Sequence, residues 1–220
     1  MLIAVAAEKG GVGKTTIATN LAGMSAFNGH RVMLTDTDVE ENTGRYAYEW
    51  GITRRDTEGL PPVNLSMLRG NIYADLLSQK ELYQTVVVDV PAGNGVEMRL
   101  ACMAADVIVI PLRIGQYDTS GMGPMIALAS ELRQTRPDTR IFAVLNDVPP
   151  TAKKDLEDSV AMLDGLSEFM QRMPVHLGSR QAFRNSAKAG RAVVELEKSL
   201  RDPRSVEEVT AIYEEIFNVK

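Results

Sequence analysis

The segment that most constrains the fold of this chain is the glycine-rich stretch at residues 8–16, which reads EKGGVGKTT. An apolar run precedes it at residues 2–7, and a run with helical spacing follows it at residues 17–27. Glycines let successive backbone N–H groups turn inward around phosphate oxygens, and the following helix adds the positive end of its dipole. The stretch predicts a strand, a phosphate loop and a helix, with a nucleotide-binding set of Gly10, Gly11, Val12, Gly13, Lys14, Thr15 and Thr16.

Two side chains of this loop carry chemistry, and a third is unusual. Lys14 is placed to bring its charge to the β- and γ-phosphates, and the Thr15 hydroxyl to face Mg²⁺. The ordinary pattern would have glycine at position 8, where this chain has Glu8, and the loop carries the extra Lys9. The extra lysine indicates a specialised phosphate loop, although a solvated loop lysine is the alternative.

Composition supports a single folded domain. The chain has 220 residues, of which 45% are apolar, enough for a sizeable core. Cys102 is the single cysteine, so no internal disulfide framework exists, and its apolar surroundings favour an inert buried thiol. No segment approaches the roughly 18 apolar residues of a membrane span, so we expect a cytoplasmic protein. The net charge of −5 argues against a chain that coats nucleic acid all over, but a local basic patch remains open.

Acidic residues stand at the ends of two later predicted strands. Residues 31–36 predict a strand that runs into Asp36 and Asp38, and residues 84–89 predict a buried strand that ends in Asp89. Parallel strands deliver their carboxyl ends to the ligand crevice. Asp89 is therefore predicted to bind Mg²⁺ with Thr15, directly or through water. Asp36 and Asp38 alone could be turn formers, but beside a phosphate loop they favour a functional role.

The glycine-rich loop resembles the deviant Walker A loop, KGGxGKTT, of the ParA/MinD family of dimeric ATPases. The resemblance implies that Lys9 reaches across a two-fold interface to the nucleotide of the other subunit, while Lys14 acts within its own subunit. It also implies that Asp38 orients the attacking water and that Asp36 holds the Mg²⁺ shell. The predicted catalytic set is Lys9, Lys14 and Asp38, and the predicted metal set is Thr15, Asp36 and Asp89.

Other segments resemble the family with departures. Residues 90–95 are similar to its switch II, with Pro91 and Gly93 kept and Ala92 in place of a second proline. Val39 and Glu40 stand where the family has Pro-Gln, which either slows hydrolysis by adding negative charge near the γ-phosphate or is neutral. Residues 40–62 predict a switch-region loop with a short helix, whose aromatic residues favour local packing over a partner interface.

Strands and helices alternate along the chain. The helices are predicted at residues 16–28, 71–82, 97–105, 117–135, 152–173 and 205–217, and the remaining strands at 63–68, 106–111, 140–146 and 175–177. The pattern predicts an α/β fold with a doubly wound, mostly parallel sheet, a single-domain P-loop NTPase of the SIMIBI type over residues 1–220 without an N-terminal helix-turn-helix domain. Asn146 ends a strand where the resemblance implies an adenine contact, although a turn role is the alternative.

The second informative region is residues 178–204, with seven Lys or Arg against three acids in an acidic chain. It resembles the family's RxAFxxAxxxGxxVxE stretch. On a continuous helix its basic residues would line one face. Such a stripe by itself is usually a solvated surface, but the excess of cations in an acidic chain favours a DNA-binding surface. The predicted DNA-binding residues are Arg180, Arg184, Lys188 and Arg191.

The last predicted helix, at residues 205–217, differs from a membrane-targeting helix. It begins with the capping-box pattern from Ser205 to Glu208, and it is rich in glutamate. A membrane-targeting helix should be basic and amphipathic. The acidic helix therefore argues against the membrane-bound branch of the family.

The resemblance implies a short, ParF-like ParA type used in plasmid partition. Such a protein would use ATP and Mg²⁺, form a homodimer on ATP, bind nucleoid DNA without sequence preference, and hydrolyse ATP when a ParB-like centromere-binding partner stimulates it. Two alternatives stay open. The same engine could position a chemosensory cluster, a carboxysome or a conjugation complex, or the departure at Val39 and Glu40 could mark a non-hydrolysing ATP-sandwich module. One cysteine excludes a nitrogenase-reductase-like role, which needs two per subunit.

Overall fold

The computed structural model describes residues 1–38, 45–115 and 122–218. Within these ranges the strands are β1 (Leu2–Val5), β2 (Val32–Asp36), β3 (Val63–Met67), β4 (Thr85–Asp89), β5 (Val107–Arg113), β6 (Arg140–Asn146) and β7 (Gln171–Arg172). They form one seven-stranded sheet in the order β3-β2-β4-β1-β5-β6-β7, and its pairings are parallel. The doubly wound parallel sheet predicted from the sequence is confirmed.

Helices cover both faces of the sheet. They are α1 (Lys14–Phe27), α2 (Tyr46–Arg55), α3 (Tyr73–Leu82), α4 (Val96–Ala104), α5 (Gly123–Thr135), α6 (Lys153–Asp164), α7 (Gln181–Lys188) and α8 (Pro203–Phe217), with a 3₁₀ turn at Val193–Glu195. Side chains alternate across a strand, so Ile3 and Val5 pack with α1, α2, α7 and α8, while Leu2 and Ala4 pack with α3 to α6. The central strand is therefore buried on both faces. Among the described residues, no helix is both long and apolar enough to cross a membrane.

The long helix predicted at residues 152–173 is wrong in its second half. Helix α6 ends at Asp164, and the chain then turns through Gly165 before β7 pairs with Phe142 and Ala143. The strand predicted at 175–177 is also wrong. Met173 donates its N–H to the Ala143 carbonyl, but the next N–H bonded to β6 is that of Leu177, so the residues between them leave the ladder. The apolar side chain of Leu177 is buried all the same, and its N–H donates to the Leu145 carbonyl.

The start of the last helix differs from the predicted capping box. Asp202 is the N-cap, its carboxylate accepts the Arg204 N–H, and Pro203 occupies the first helical position. Ser205 is buried inside the first turn, where its hydroxyl donates to the Asp202 carbonyl. Glu208 is thereby free to bond elsewhere. Helix α5 begins at Gly123, and the residues before it that were assigned to the predicted helix, 117–121, lie outside the described ranges.

Candidate functional site

The phosphate loop lies between the central strand β1 and helix α1. Gly11 and Gly13 have φ values of +71° and +98°, a left-handed conformation that an L side chain rarely adopts. Gly13 is the N-cap of α1, and no side-chain oxygen of the described residues caps the helix. The uncapped N–H groups and the helix dipole leave this end of α1 suited to a phosphate.

Lys14 and Lys9 differ in their environments although they belong to the same loop. Lys14 is buried, and its Nζ lies 3.5 Å from the Lys9 carbonyl. Burial lowers the pKa of Lys14, while the carboxylates of Asp89 and Asp38 oppose that shift. Lys9 is exposed. Only Lys14 is therefore held within the cleft of its own chain.

Thr15 and Asp89 meet beneath the loop. The Thr15 hydroxyl donates to Oδ2 of Asp89 at 2.6 Å, and Asp89 is buried at the end of β4. Its other oxygen, Oδ1, has no hydrogen-bond partner among the described residues. Burial raises the pKa of Asp89 to about 7, the nearby Asp36 adds to the shift, and the Thr15 hydrogen bond and the Lys14 charge oppose it.

This pair fits a magnesium ion. A buried carboxylate oxygen that has no partner within the described ranges, next to a threonine hydroxyl, offers the hard oxygen ligands that Mg²⁺ prefers. No group of three or more His, Cys, Asp or Glu in the described part of the chain could hold a metal alone. That is expected of Mg²⁺ bound with a nucleotide, because phosphate oxygens and waters supply most of its ligands.

Asp36 caps helix α2 from the end of β2. Its Oδ2 accepts the N–H of Tyr48, and its Oδ1 accepts the N–H of Asp38, both at 3.0 Å. Burial raises the pKa of Asp36, and these hydrogen bonds lower it. Asp38 lies on the wall of the cleft beside the loop. Asp36 therefore fixes α2 and the backbone of Asp38, whereas Asp38 faces the cleft.

A cleft of about 520 Å³ runs from the phosphate loop across the sheet edge toward helix α7. Asn146 stands on its wall at the end of β6, and its Nδ2 donates to the Val12 carbonyl at 2.8 Å. A Cβ on Gly13 would lie 1.9 Å from that nitrogen. Asn146 thus braces the phosphate loop, which the sequence alone does not reveal. Sequence reasoning also missed other residues of the wall, namely Tyr46, Arg113, Asp147 and Phe183.

The second predicted switch follows β4. Pro91 and Gly93 are half-buried in the turn between β4 and α4, and Gly93 has a φ of +101°. The end of β2 is joined to β4 there, because Thr37 donates both its N–H and its hydroxyl to the Asp89 carbonyl. The two acidic strand ends are therefore held side by side. Val39 and Glu40, the departure from Pro-Gln, lie outside the described residues.

The four basic residues predicted to share one helix face are separated. Helix α7 runs from Gln181 to Lys188, so of the four basic residues only Arg184 and Lys188 lie on it, both exposed, and Arg184 lines the nucleotide cleft. Arg180 precedes the helix and is paired with Glu208 at 2.5 Å and Asp202 at 3.3 Å, which raises its pKa. Arg191 follows the helix and donates to the Glu195 carbonyl. The continuous stripe is wrong because Gly190, with φ +62°, turns the chain.

An all-parallel sheet, a glycine loop before a helix, and acids at neighbouring strand ends define a P-loop nucleotide-binding protein. Residues 3–182 match the model of the family described as CobQ/CobB/MinD/ParA nucleotide binding domain. The chain belongs to this family. It is accordingly a ParA/MinD-type ATPase of the partitioning and positioning class, and it uses ATP and Mg²⁺.

Individual relatives extend the similarity over most of the chain. The maintenance of carboxysome distribution protein A of Halothiobacillus neapolitanus is 28% identical, over 98% of this chain and 95% of its own. The chromosome-partitioning ATPase Soj of Thermus thermophilus is 30% identical, over 80% of this chain and 74% of its own. Among solved structures, an ATP complex of McdA from Cyanothece covers 100% of this chain and 96% of its own, with a TM-score of 0.69 at 15% identity, which supports the fold.

Proposed function

We propose that the protein is a DNA-binding partition ATPase that dimerises on ATP and segregates plasmid or other cargo with a ParB-like partner. The observation that carries the proposal is the contrast within one loop between buried Lys14 and exposed Lys9. Lys14 serves the cleft of its own chain. Lys9 is free to reach a nucleotide held by a second copy, so dimerisation would depend on the bound γ-phosphate.

The acids of the cleft take distinct roles in this proposal. Asp38 orients the attacking water, because phosphoryl transfer depends on placing a nucleophile in line with the γ-phosphate. Thr15 and Asp89 would hold Mg²⁺, and Asp36, which caps α2, would act on its water shell. When bound, Mg²⁺ neutralises charge on the phosphates. Pro91 and Gly93 report the γ-phosphate through the backbone of the second switch.

DNA contacts in this proposal come from exposed cations of the basic region. Arg180 and Arg191 are left out because they bond to groups of their own chain. Lys188, Lys198 and Arg204 are exposed within the basic region, whereas the exposed Arg184 lines the nucleotide cleft and is not counted among them. A dimer presents each of these cations twice. Once one basic region has bound DNA, the second is held at a high effective concentration, so the dimer binds DNA more tightly than a monomer does. Binding through phosphates alone carries no sequence preference, which suits association with the nucleoid. We place the chain with the short, ParF-like ParA type.

A second cargo is favoured by one specific finding. The carboxysome distribution protein of H. neapolitanus matches 98% of this chain and 95% of its own length. The same ATP-dependent engine could therefore carry a protein compartment in place of a plasmid. Co-purification with a protein-shell component, in place of a centromere-binding protein, would select this cargo over plasmid partition.

Phosphate release tests the enzymatic part of the proposal. Purified protein with MgATP should release phosphate slowly, and non-specific duplex DNA together with the partner should increase the rate. The Asp38→Ala variant, which keeps the phosphate loop, should lose that turnover. If the wild-type protein with DNA and the partner releases no more phosphate than Asp38→Ala, the proposed ATP hydrolysis is contradicted. The protein would then be a non-hydrolysing ATP-sandwich module.

A further inference from the structure

The order of the strands divides the nucleotide cleft into two halves. On one side of β1 lie β4 and β2, which bring Asp89 and Asp38 to the end of the cleft where the phosphates and Mg²⁺ would bind. On the other side lie β5, β6 and β7, followed by helix α7. Because the acids mark the γ-phosphate end, the nucleoside must occupy the half next to β6 and α7.

Helix α7 forms the outer wall of that half. The adjacent residues Phe183 and Arg184 line the cleft there, and so does Ala187, about one turn further along the helix. Phe183 is buried against the core with 8% exposure, so it anchors the helix. Arg184 is exposed and its Nε donates to the neutral amide oxygen of Gln181 at 2.8 Å. The small Ala187 leaves room for a flat group beside it.

Arg184 differs from the other two arginines of the cleft. Arg113 is paired with Asp147 at 2.7 Å, and Arg180 is paired with Glu208 and Asp202. Their charges are neutralised by carboxylates, and their guanidinium groups are held in place. Arg184 has a neutral hydrogen-bond partner, which holds one edge of its guanidinium and leaves the flat face available.

We propose that Arg184 binds the nucleoside half of ATP, with its guanidinium plane against the adenine ring. A guanidinium attracts the face of an aromatic ring by a cation–π interaction and by stacking. This assigns Arg184 to nucleotide binding and removes it from the DNA-binding set. The inference rests on the bound nucleotide of a single subunit, so it does not depend on DNA, dimerisation or a partner.

Calorimetric titration of two ligands tests the proposal. Arg184→Ala should weaken MgADP binding about 5- to 20-fold, the size of a partly desolvated cation–π contact. Its affinity for inorganic pyrophosphate with Mg²⁺ should stay at the wild-type value, because pyrophosphate fills only the phosphate half. Arg184→Lys keeps the charge but loses the plane, and it should be weakened nearly as much as Arg184→Ala.

The matched control is Arg133→Ala, which removes an exposed helical arginine of α5 that does not line the cleft. It should bind both ligands as the wild-type protein does. Wild-type MgADP affinity in Arg184→Ala or in Arg184→Lys would overturn the proposed stacking. An equal loss for pyrophosphate would overturn it too, because Arg184 would then be a phosphate ligand. The unfolding temperature of each variant should match that of the wild-type protein, which shows that a loss of binding does not come from unfolding.

Discussion

Arg54 and Glu195 form a bidentate ion pair inside the protein, with both nitrogen–oxygen distances at 2.7 Å. Each side chain is 2% exposed. Arg54 also donates to the carbonyls of Gly190 and Pro61, so each of its three guanidinium nitrogens donates to a fixed acceptor. The pair joins α2, whose first turn is capped by Asp36, to the turn after α7. The acidic end of the cleft and the basic region are thereby connected through one buried contact.

Removing one partner of this pair should be costly. Arg54→Ala leaves the Glu195 carboxylate buried without its counter-charge, and we expect a loss of about 3–5 kcal/mol in the free energy of unfolding. The adjacent Arg55 is a matched control, since its side chain is 68% exposed and its partner Asp56 is 70% exposed. Arg55→Ala should change stability by less than about 0.5 kcal/mol. Urea unfolding that shows similar stabilities for the two variants would contradict the account.

Gly190 should tolerate no side chain for two separate reasons. Its φ is +62°, and an added Cβ would lie 2.3 Å from the backbone nitrogen of Arg54. Gly29 has φ +83° but no atom within 4 Å of such a Cβ, so Gly29→Ala isolates the backbone strain. We expect about 1 kcal/mol for Gly29→Ala and at least about 2 kcal/mol more for Gly190→Ala. Equal losses in the free energy of unfolding for the two variants would contradict this expectation, because helix α2 would then move away from the added Cβ without cost.

The fold could be predicted because its signals are local. Strand β6 has the predicted bounds, Arg140–Asn146, since a buried apolar run between turn residues admits few alternatives. The phosphate loop was equally clear, because glycine spacing and the following lysine act within nine residues. Helix α6 was predicted too long, since Gly165 and the pairing of β7 with Phe142 decide where it stops.

The fate of individual side chains could not be predicted, because it depends on residues distant in sequence. Arg180 donates hydrogen bonds to Glu208, 28 positions away, and Asn146 donates one to the Val12 carbonyl, 134 positions away. The Arg54–Glu195 pair spans 141 positions. Residue spacing on a helix describes a face, but it does not show which charges are already neutralised by another element.

Lys9 should be needed for dimerisation and not for nucleotide binding by the monomer. Its side chain is exposed, whereas Lys14 is buried in the cleft of its own chain. With MgATP present, light scattering should detect a dimer of the wild-type protein and a monomer of Lys9→Ala. ADP should bind Lys9→Ala with unchanged affinity. An ATP-dependent dimer of Lys9→Ala would exclude the trans role.

The exposed cations Lys188, Lys198 and Arg204 should set the salt dependence of DNA binding. If an ATP-bound dimer meets ~6 phosphates, the log–log salt slope should be about −5, and Lys188→Ala with Lys198→Ala should bring it to about −2. The loss should be similar for all duplex sequences, because phosphates carry no sequence information. Arg133→Ala should keep the wild-type slope. An unaltered slope in the double variant would show that these lysines belong to a solvated surface.

If the γ-phosphate controls DNA binding, the affinity for DNA should depend on which nucleotide is bound. Fluorescence anisotropy of a non-specific duplex should be recorded with MgATP and with MgADP at the same salt concentration. We expect binding with MgATP to be at least about tenfold tighter than with MgADP, because only the dimer presents both basic regions. Equal affinity with the two nucleotides, or no binding with either, would contradict it.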